Sequence, residues 1–279
     1  ITIKKEELPM KIIDSHFHFA DFRGFNELAK AAGHENNAYH LQAEYKRLGI
    51  VCGIVMGNQT VSPEAHHYPP FMRYCIGLDR QTGTDLTPEI LKNVEIHLQR
   101  PQCVGIKLYP GYNYFYVSDA SVDPIFDLAE TYHKPVAVHT GLTATDMALL
   151  KYSHPFTLDE AAVRHRNVQI VMCHIGNPFL EEAVAVLEKN HNVAVDLSGL
   201  LEGKIPDMKA FLKKSDWYIK TLRGWLEYLG IWDRVMFGTD WPLANLEDYI
   251  EYTKALIPEE HWDDIFWKNA ARIYHIDNV

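Results

Sequence analysis

Eight short apolar runs, spread along the whole chain, limit the possible folds of this sequence more than any other feature. The runs are nearly continuous and rich in Val, Ile and Cys, which is the pattern of strands buried on both faces of a parallel sheet. Most are separated by roughly 20 to 35 residues, which is enough for a loop and one crossover helix. The predicted strands are residues 11–19, 49–57, 72–79, 103–110, 134–141, 168–176, 192–199 and 234–242.

Helical periodicity appears in the segments between these runs. The clearest start is Pro88 after Thr87, since proline suits the first position of a helix and threonine caps it. Eight strands alternating with helices predict a (β/α)8 TIM barrel, with an open doubly wound sheet as the alternative. No linker or internal repeat stands out, so we expect one domain over 1–279. The predicted helices are 87–99, 123–133, 158–164, 179–189 and a closing helix or helix pair at 258–274.

Composition excludes several classes of partner. The formal net charge of −10 argues against a nucleic-acid backbone or an anionic membrane surface as a general partner. No stretch is apolar and long enough for a membrane span, and the first residues lack the apolar core of a signal peptide. We therefore expect a cytoplasmic enzyme with a small-molecule substrate. The sequence leaves open whether the chain acts alone or as a homodimer.

Cysteine usage fits the same interpretation. The four cysteines, Cys52, Cys75, Cys103 and Cys173, lie inside predicted buried strands, and none forms a Cys-x-x-Cys pair. Their spacing does not suggest a disulfide framework. We expect reduced core thiols.

Polar residues recur where the apolar runs end. His16 and His18 end the first run, His139 the fifth, His174 the sixth and Asp240 the eighth. In a parallel β/α barrel, the carboxyl ends of the strands meet at one mouth, where the chemistry takes place. Imidazoles with a carboxylate form a ligand set for a divalent metal, zinc first and manganese as the alternative.

Two further carboxylates, Asp14 and Asp196, lie in the predicted strands. Asp14 is two residues before His16 and therefore in phase with both histidines of the first strand, so we expect it to hold one of their rings by a hydrogen bond. Asp196 ends the seventh run and could face the barrel or cap the following turn. His66 and the other loop histidines are expected to be bystanders.

The motifs as a group resemble a known family. Asp-Ser-His-Phe-His at 14–18, His139 with Gly141, His174-Ile-Gly and Gly-Thr-Asp-Trp-Pro at 238–242 are similar to the amidohydrolase superfamily. The resemblance is to the amidohydrolase-related branch that contains the aminocarboxymuconate-semialdehyde and γ-resorcylate decarboxylases. It spans nearly the whole chain in the same order.

The resemblance implies roles for individual residues. His16, His18, His139 and Asp240 would bind one metal ion, with Asp240 also acting as the proton acceptor. His174 would lie beside the metal as a catalytic or substrate-polarising group.

Lys107, at the end of the fourth run, has three interpretations. Carboxylated, it could bridge a second metal ion; otherwise it could bind a substrate carboxylate or have a structural role, for example as an outward-facing solvated charge. The aromatic run after the same strand, which contains Tyr109 and Tyr112, adds candidate substrate contacts for a planar group.

Three functions remain open at this stage. The first is a hydrolase that attacks a small amide, lactone or ester with a metal-activated water. The second is a non-oxidative decarboxylase of a small aromatic or unsaturated carboxylic acid. The third is a barrel that binds a ligand without chemistry, which the complete set of candidate catalytic residues disfavours.

Overall fold

Parallel strands form the centre of the molecule. The structure, a computed structural model, describes residues 10–79 and 86–277. Within these residues eight strands pair in chain order, each parallel to the next, so the predicted TIM barrel is confirmed. The strands are β1 Ile12–Phe17, β2 Ile50–Met56, β3 Met72–Leu78, β4 Cys103–Leu108, β5 Val136–Val138, β6 Ile170–Met172, β7 Val193–Asp196 and β8 Val235–Met236.

Backbone hydrogen bonds bring the end of the sheet against its beginning. The Ser15 N–H donates to the Phe237 carbonyl at 3.0 Å, and the Thr239 and Asp240 N–H groups both donate to the His16 carbonyl, at 3.2 and 2.8 Å. The segment that follows β8 is therefore held along β1. This contact places residue 240 beside the histidines of the first strand.

Helices surround the strands. They are α1 Arg23–Ala31, α2 Ala38–Leu48, α3 Pro88–Leu98, α4 Asp123–Thr131, α5 Leu150–Ser153, α6 Thr157–Arg164, α7 Leu180–Lys189, α8 Met208–Lys214, α9 Asp216–Leu229, α10 Leu246–Leu256 and α11 Asn269–Ile273. Four of the five predicted helical segments are confirmed, as α3, α4, α6 and α7. Thr87 caps α3 by accepting from the Ile90 N–H, as the sequence indicated.

Two connections depart from the simple strand–helix alternation. Residues 57–71, between β2 and β3, contain no helix; Pro63, Pro69 and Pro70 in this segment lack the N–H donors that a helix needs. The closing segment 258–274 is broken into a 3₁₀ turn at Glu259–His261, a π-helical turn at Asp264–Lys268 and α11.

The apolar core has two layers. The larger cluster fills the space between strands and helices, and the smaller one fills the barrel interior, with Ile13, Ile54, Val171 and Met236 among its members. Tyr274 and residues of α11 pack against this inner cluster. All four cysteines are buried and free, as expected. None of the helices in the described ranges combines the length and apolarity that a membrane crossing requires.

Candidate active site

An irregularity in β1 sets the direction of the two paired histidines. Asp14 pairs with Gly53 of β2 and Phe17 pairs with Val55, so an advance of three residues along β1 matches an advance of two along β2. This is the geometry of a β-bulge. His16 is fully buried, and the side chain of His18 is 13% exposed. Both rings face the mouth of the barrel, where they contact Asp240.

The same irregularity overturns the expectation for Asp14. Its carboxylate accepts hydrogen bonds from Thr239 N–H at 2.9 Å, Thr239 Oγ1 at 2.6 Å and the Tyr45 hydroxyl at 3.2 Å, and none from a histidine ring. The prediction that Asp14 holds a ring was wrong, because the bulge puts Asp14 out of phase with His16 and His18. Burial raises the pKa of Asp14 to about 7, despite these hydrogen bonds.

Asp196 takes the role expected for Asp14. Its Oδ2 lies 2.9 Å from His16 Nδ1, while Oδ1 accepts from the His174 N–H at 3.0 Å and from Ser198 Oγ at 2.5 Å. Burial acts to raise the pKa of Asp196, but His16 and these hydrogen bonds outweigh it, so the pKa lies below the usual range. The signal in the sequence was its position as the only charged residue in the seventh apolar run.

Asp240 lies opposite the two histidines in a left-handed backbone conformation, with φ of 57°. Its Oδ1 is 3.2 Å from His18 Nε2 and 3.5 Å from His16 Nε2. Burial acts to raise the pKa of Asp240, but the nearby histidines, His174 first, outweigh it and hold the pKa below the usual range.

The hydrogen bonds of the two rings define which nitrogen carries the proton. His16 Nδ1 faces the Asp196 carboxylate, and His18 Nδ1 faces the Met56 carbonyl at 3.1 Å. Both partners only accept hydrogen bonds, so each Nδ1 must be the donor. Burial lowers the pKa of His16 to about 4, so its ring is neutral and its Nε2 keeps a lone pair. Both Nε2 atoms face Asp240 Oδ1, and neither His16 Nε2 nor Asp240 Oδ1 makes a hydrogen bond to a described residue.

His174 lies on the other side of His16. It occupies a tight turn after β6, with φ of 60°, and its ring centroid is 4.7 Å from that of His16. His174 Nδ1 faces the Ser198 carbonyl at 3.2 Å and Ser198 Oγ at 2.8 Å, so Nδ1 carries the proton and Nε2 is an acceptor. Burial lowers the pKa of His174.

His139 lines the same space directly after β5. Its Nε2 donates to the Leu142 carbonyl at 3.0 Å, and its ring lies 5.0 Å from the ring of His174. Burial first, and then the neighbouring His174, lower the pKa of His139 well below its usual value. The ring is therefore neutral, with Nδ1 as the free acceptor.

The structure brings together three of the four predicted metal ligands, His16, His18 and Asp240. His174, predicted to lie beside the metal, belongs to the compact group of possible ligands, and His139 does not. In the described part of the chain, the ligand atoms of His16, His174 and Asp240 all lie within 4.8 Å of one another, and His18 Nε2 contacts the same carboxylate. The chain therefore presents a histidine–carboxylate group capable of holding a metal ion. A second group, His16, Cys173 and Asp196, lies around the same ring.

These residues open into a cavity of about 770 Å³ that Lys107, Tyr109 and Tyr112 also line. Lys107 is fully buried, and its Nζ donates to Cys173 Sγ at 2.8 Å. An outward, solvated position for this lysine is thereby excluded. The Tyr109 hydroxyl donates to the Gly57 carbonyl at 3.0 Å.

Sequence reasoning missed other residues in the cavity wall. Asp79 and Glu202 line the cavity, as do the amides of Asn58 and Asn177. Asp79 follows β3 at a strand end, the same signal that identified the histidines. Glu202 lies in the loop after β7, where no pattern in the sequence marked it.

The family follows from comparison of the sequence. Residues 13–276 match the model of the amidohydrolase family Amidohydro_2, described as amidohydrolase. The chain therefore belongs to this family, and the resemblance read from its motifs is confirmed. No protein among those with curated descriptions matches the chain.

Solved structures with the same barrel come from several bacteria. A TIM-barrel protein of uncharacterised function from Bordetella bronchiseptica has a TM-score of 0.69 and 19% identity, covering 95% of this chain and 99% of its own. The 2,6-dihydroxybenzoate decarboxylase from Rhizobium has a TM-score of 0.68 and 14% identity, with 96% of this chain and 100% of its own chain covered. A Pseudomonas putida protein assigned as a 2-pyrone-4,6-dicarboxylic acid hydrolase has a TM-score of 0.65 and 16% identity, with 98% of this chain and 100% of its own chain covered. At these identities the likeness establishes the fold.

Proposed function

We propose that this protein is a metal-dependent hydrolase that opens a small lactone, ester or amide. The observation that carries the proposal is the convergence of His16 Nε2 and His18 Nε2 on Asp240 Oδ1, at 3.5 and 3.2 Å, while both Nδ1 atoms face hydrogen-bond acceptors. With both rings neutral, all three atoms are acceptors. Facing acceptors repel one another unless a cation lies between them. Two imidazole nitrogens and a carboxylate are the donor set that zinc prefers, and manganese is the alternative.

His139 and His174 flank this group and complete the proposed centre. Each presents one unprotonated ring nitrogen. We assign His139 to the metal with His16, His18 and Asp240, and His174 to the position beside it. A bound divalent ion would supply a water of lowered pKa and polarise the carbonyl of the substrate.

The residues of the chain account for the proton transfers. The Asp240 carboxylate, ionised at neutral pH, accepts the proton of the attacking water and returns it to the leaving group. His174 Nε2 accepts a hydrogen bond from that water and orients it.

Lys107, Tyr109 and Tyr112 are proposed as substrate contacts. Lys107 lines the cavity, and its ammonium group lies 5.2 Å from the centroid of the Tyr109 ring. A carboxylate or carbonyl of the substrate in this region would replace the Cys173 thiol as its partner.

Decarboxylation of an aromatic acid is the second candidate. It is favoured by the aromatic side chains in the cavity wall, Phe22, Phe25, Tyr109 and Tyr112, which suit a planar ring. Under this alternative the same residues would hold a metal ion that binds the substrate carboxylate, and a proton would be delivered to the ring carbon as carbon dioxide leaves.

Product analysis distinguishes the two. Purified protein would be incubated with a panel of lactones, esters and amides and with hydroxybenzoates, including 2,6-dihydroxybenzoate, and the products identified by mass. We expect products that have gained one water, absent with Asp240→Asn. Loss of carbon dioxide without added water would establish the second candidate and contradict the first.

A further inference from the structure

The lining of the cavity also contains large apolar side chains besides the histidines and carboxylates described above. They are Phe22, Phe25, Leu28, Leu142 and Leu243. These apolar side chains are far from fully covered: Phe22 is 42% exposed, Leu28 40% and Leu142 57%.

Helix α1 shows that this wall does not belong to the protein core. Of its nine residues, only Ala29 is buried. Phe25 and Leu28 therefore contribute little to packing the barrel, and their apolar surface faces the cavity instead. Large apolar side chains left in contact with water at a concave site mark a place where apolar ligand surface is bound.

The wall also begins next to the reaction centre. The Phe25 ring centroid lies 5.7 Å from that of His18, and the Phe22 ring lies 4.0 Å from the Phe25 ring. A path of apolar surface therefore runs from a proposed metal ligand along Phe25 to Phe22. A substrate with its reacting carbonyl at Asp240 would place an attached chain along this path.

We propose that the substrate carries an apolar chain, and that Phe22, Phe25 and Leu28 bind it. This rests on the proposed hydrolase function and names its substrate class: neutral lactones or esters with an alkyl substituent. Full burial of one methylene contributes about a threefold to fourfold gain in binding, so chain length should control specificity.

The test is a series of γ-lactones, from γ-butyrolactone to γ-decalactone, with kcat/KM measured for each. We expect kcat/KM to rise by up to about threefold per added methylene. Phe22→Ala and Leu28→Ala should flatten this dependence. Phe156→Ala is the matched control, because Phe156 is 55% exposed but lies outside the cavity lining; it should keep the wild-type dependence.

A binding measurement separates this proposal from the hydrolase function. The 5-alkyl-2-pyrrolidinones, lactam analogues of the same series, would be titrated calorimetrically into the wild type and Phe22→Ala. An affinity that rises with chain length in the wild type but not in Phe22→Ala supports the apolar site, whether or not a lactone is hydrolysed. Failure to hydrolyse any lactone would count against the hydrolase function only. Equal affinity along the series, or an unchanged slope in Phe22→Ala, overturns the apolar site whatever the activity.

Discussion

The tautomer of His16 depends on a single carboxylate. Asp196 is fully buried, accepts from His16 Nδ1, and is itself held by the backbone N–H of His174 and by Ser198. Such a partner fixes both the ring orientation and the nitrogen that keeps its lone pair. The availability of His16 Nε2 for a metal therefore depends on Asp196.

Replacement of Asp196 by Asn should reverse this tautomer. The amide oxygen would remain with the N–H donors of His174 and Ser198, so the amide nitrogen would face His16 Nδ1 and leave the proton on Nε2. We expect zinc affinity to fall by about 10-fold to 100-fold, measured by competition with a chromophoric chelator. Asp159→Asn, at an exposed pair with Lys189, is the control; equal affinities in both variants would contradict the role of Asp196.

At the scale of elements, the loop after β7 determines how closely the backbone approaches the site. Gly199 has φ of 66°, and a Cβ there would lie 2.8 Å from His174 Nδ1 and 3.2 Å from Asp240 Oδ2. Gly203, in the same loop, has φ of 72° but would meet nothing within 4 Å. The two glycines share the same backbone conformation and differ in what surrounds them.

Alanine at each glycine separates strain from steric contact. Both variants should lose about 1 kcal/mol of unfolding free energy, because a side chain disfavours the left-handed conformation. Only Gly199→Ala should also displace His174 and Asp240, which should lower turnover about 10-fold or more and weaken metal binding. Urea unfolding and steady-state kinetics check this; equal activity in the two variants would show that Gly199 has no role in the site.

The strand pattern predicted the barrel and the mouth but not the local backbone. Alternating apolar runs and polar residues at strand ends were enough to place His16, His18, His139, His174 and Asp240 around one cavity. However, His174 and Asp240 lie beyond the paired strands, in left-handed turns. Such turns have no periodic signal in the sequence, since they depend on hydrogen bonds between segments far apart in the chain.

The β1 bulge was invisible for the same reason. A strand with two-residue alternation places Asp14 with His16, and only the pairing with β2 shifts it to the other face. The assignment of the ring partner therefore moved from Asp14 to Asp196. In both cases tertiary pairing overrode the local pattern.

For the whole molecule, buried neutral histidines govern the response to acid. Burial is the first cause that lowers the pKa of His16, His34 and His66, each from 6.5 to about 4. Between these values the unfolded chain binds more protons at these three positions, so their contribution to stability falls as pH drops from about 6.5 to 4 and stops falling below 4. Asp14, whose pKa is raised from 3.8 to about 7, acts in the opposite direction over that window.

His66 allows this balance to be tested away from the proposed metal centre. It is 2% exposed, its Nε2 donates to the Thr60 carbonyl and its Nδ1 accepts from the Tyr68 hydroxyl, both at 3.0 Å. The wild type should unfold at lower urea concentration at pH 5 than at pH 7. His66→Gln should be less stable at pH 7, and its urea midpoints at pH 5 and pH 7 should differ less than those of the wild type. An unchanged difference would contradict the lowered pKa assigned to His66.

We propose that the mouth of the barrel is a metal centre built on His16, His18, His139 and Asp240. Its most direct test is the metal content per chain by plasma mass spectrometry, for wild type and Asp240→Asn purified without chelator. We predict close to one zinc or manganese ion per wild-type chain and a large loss in the variant. Close to two ions would indicate a bridging, carboxylated Lys107. No metal in the wild type, even after incubation with zinc and manganese, would contradict the claim.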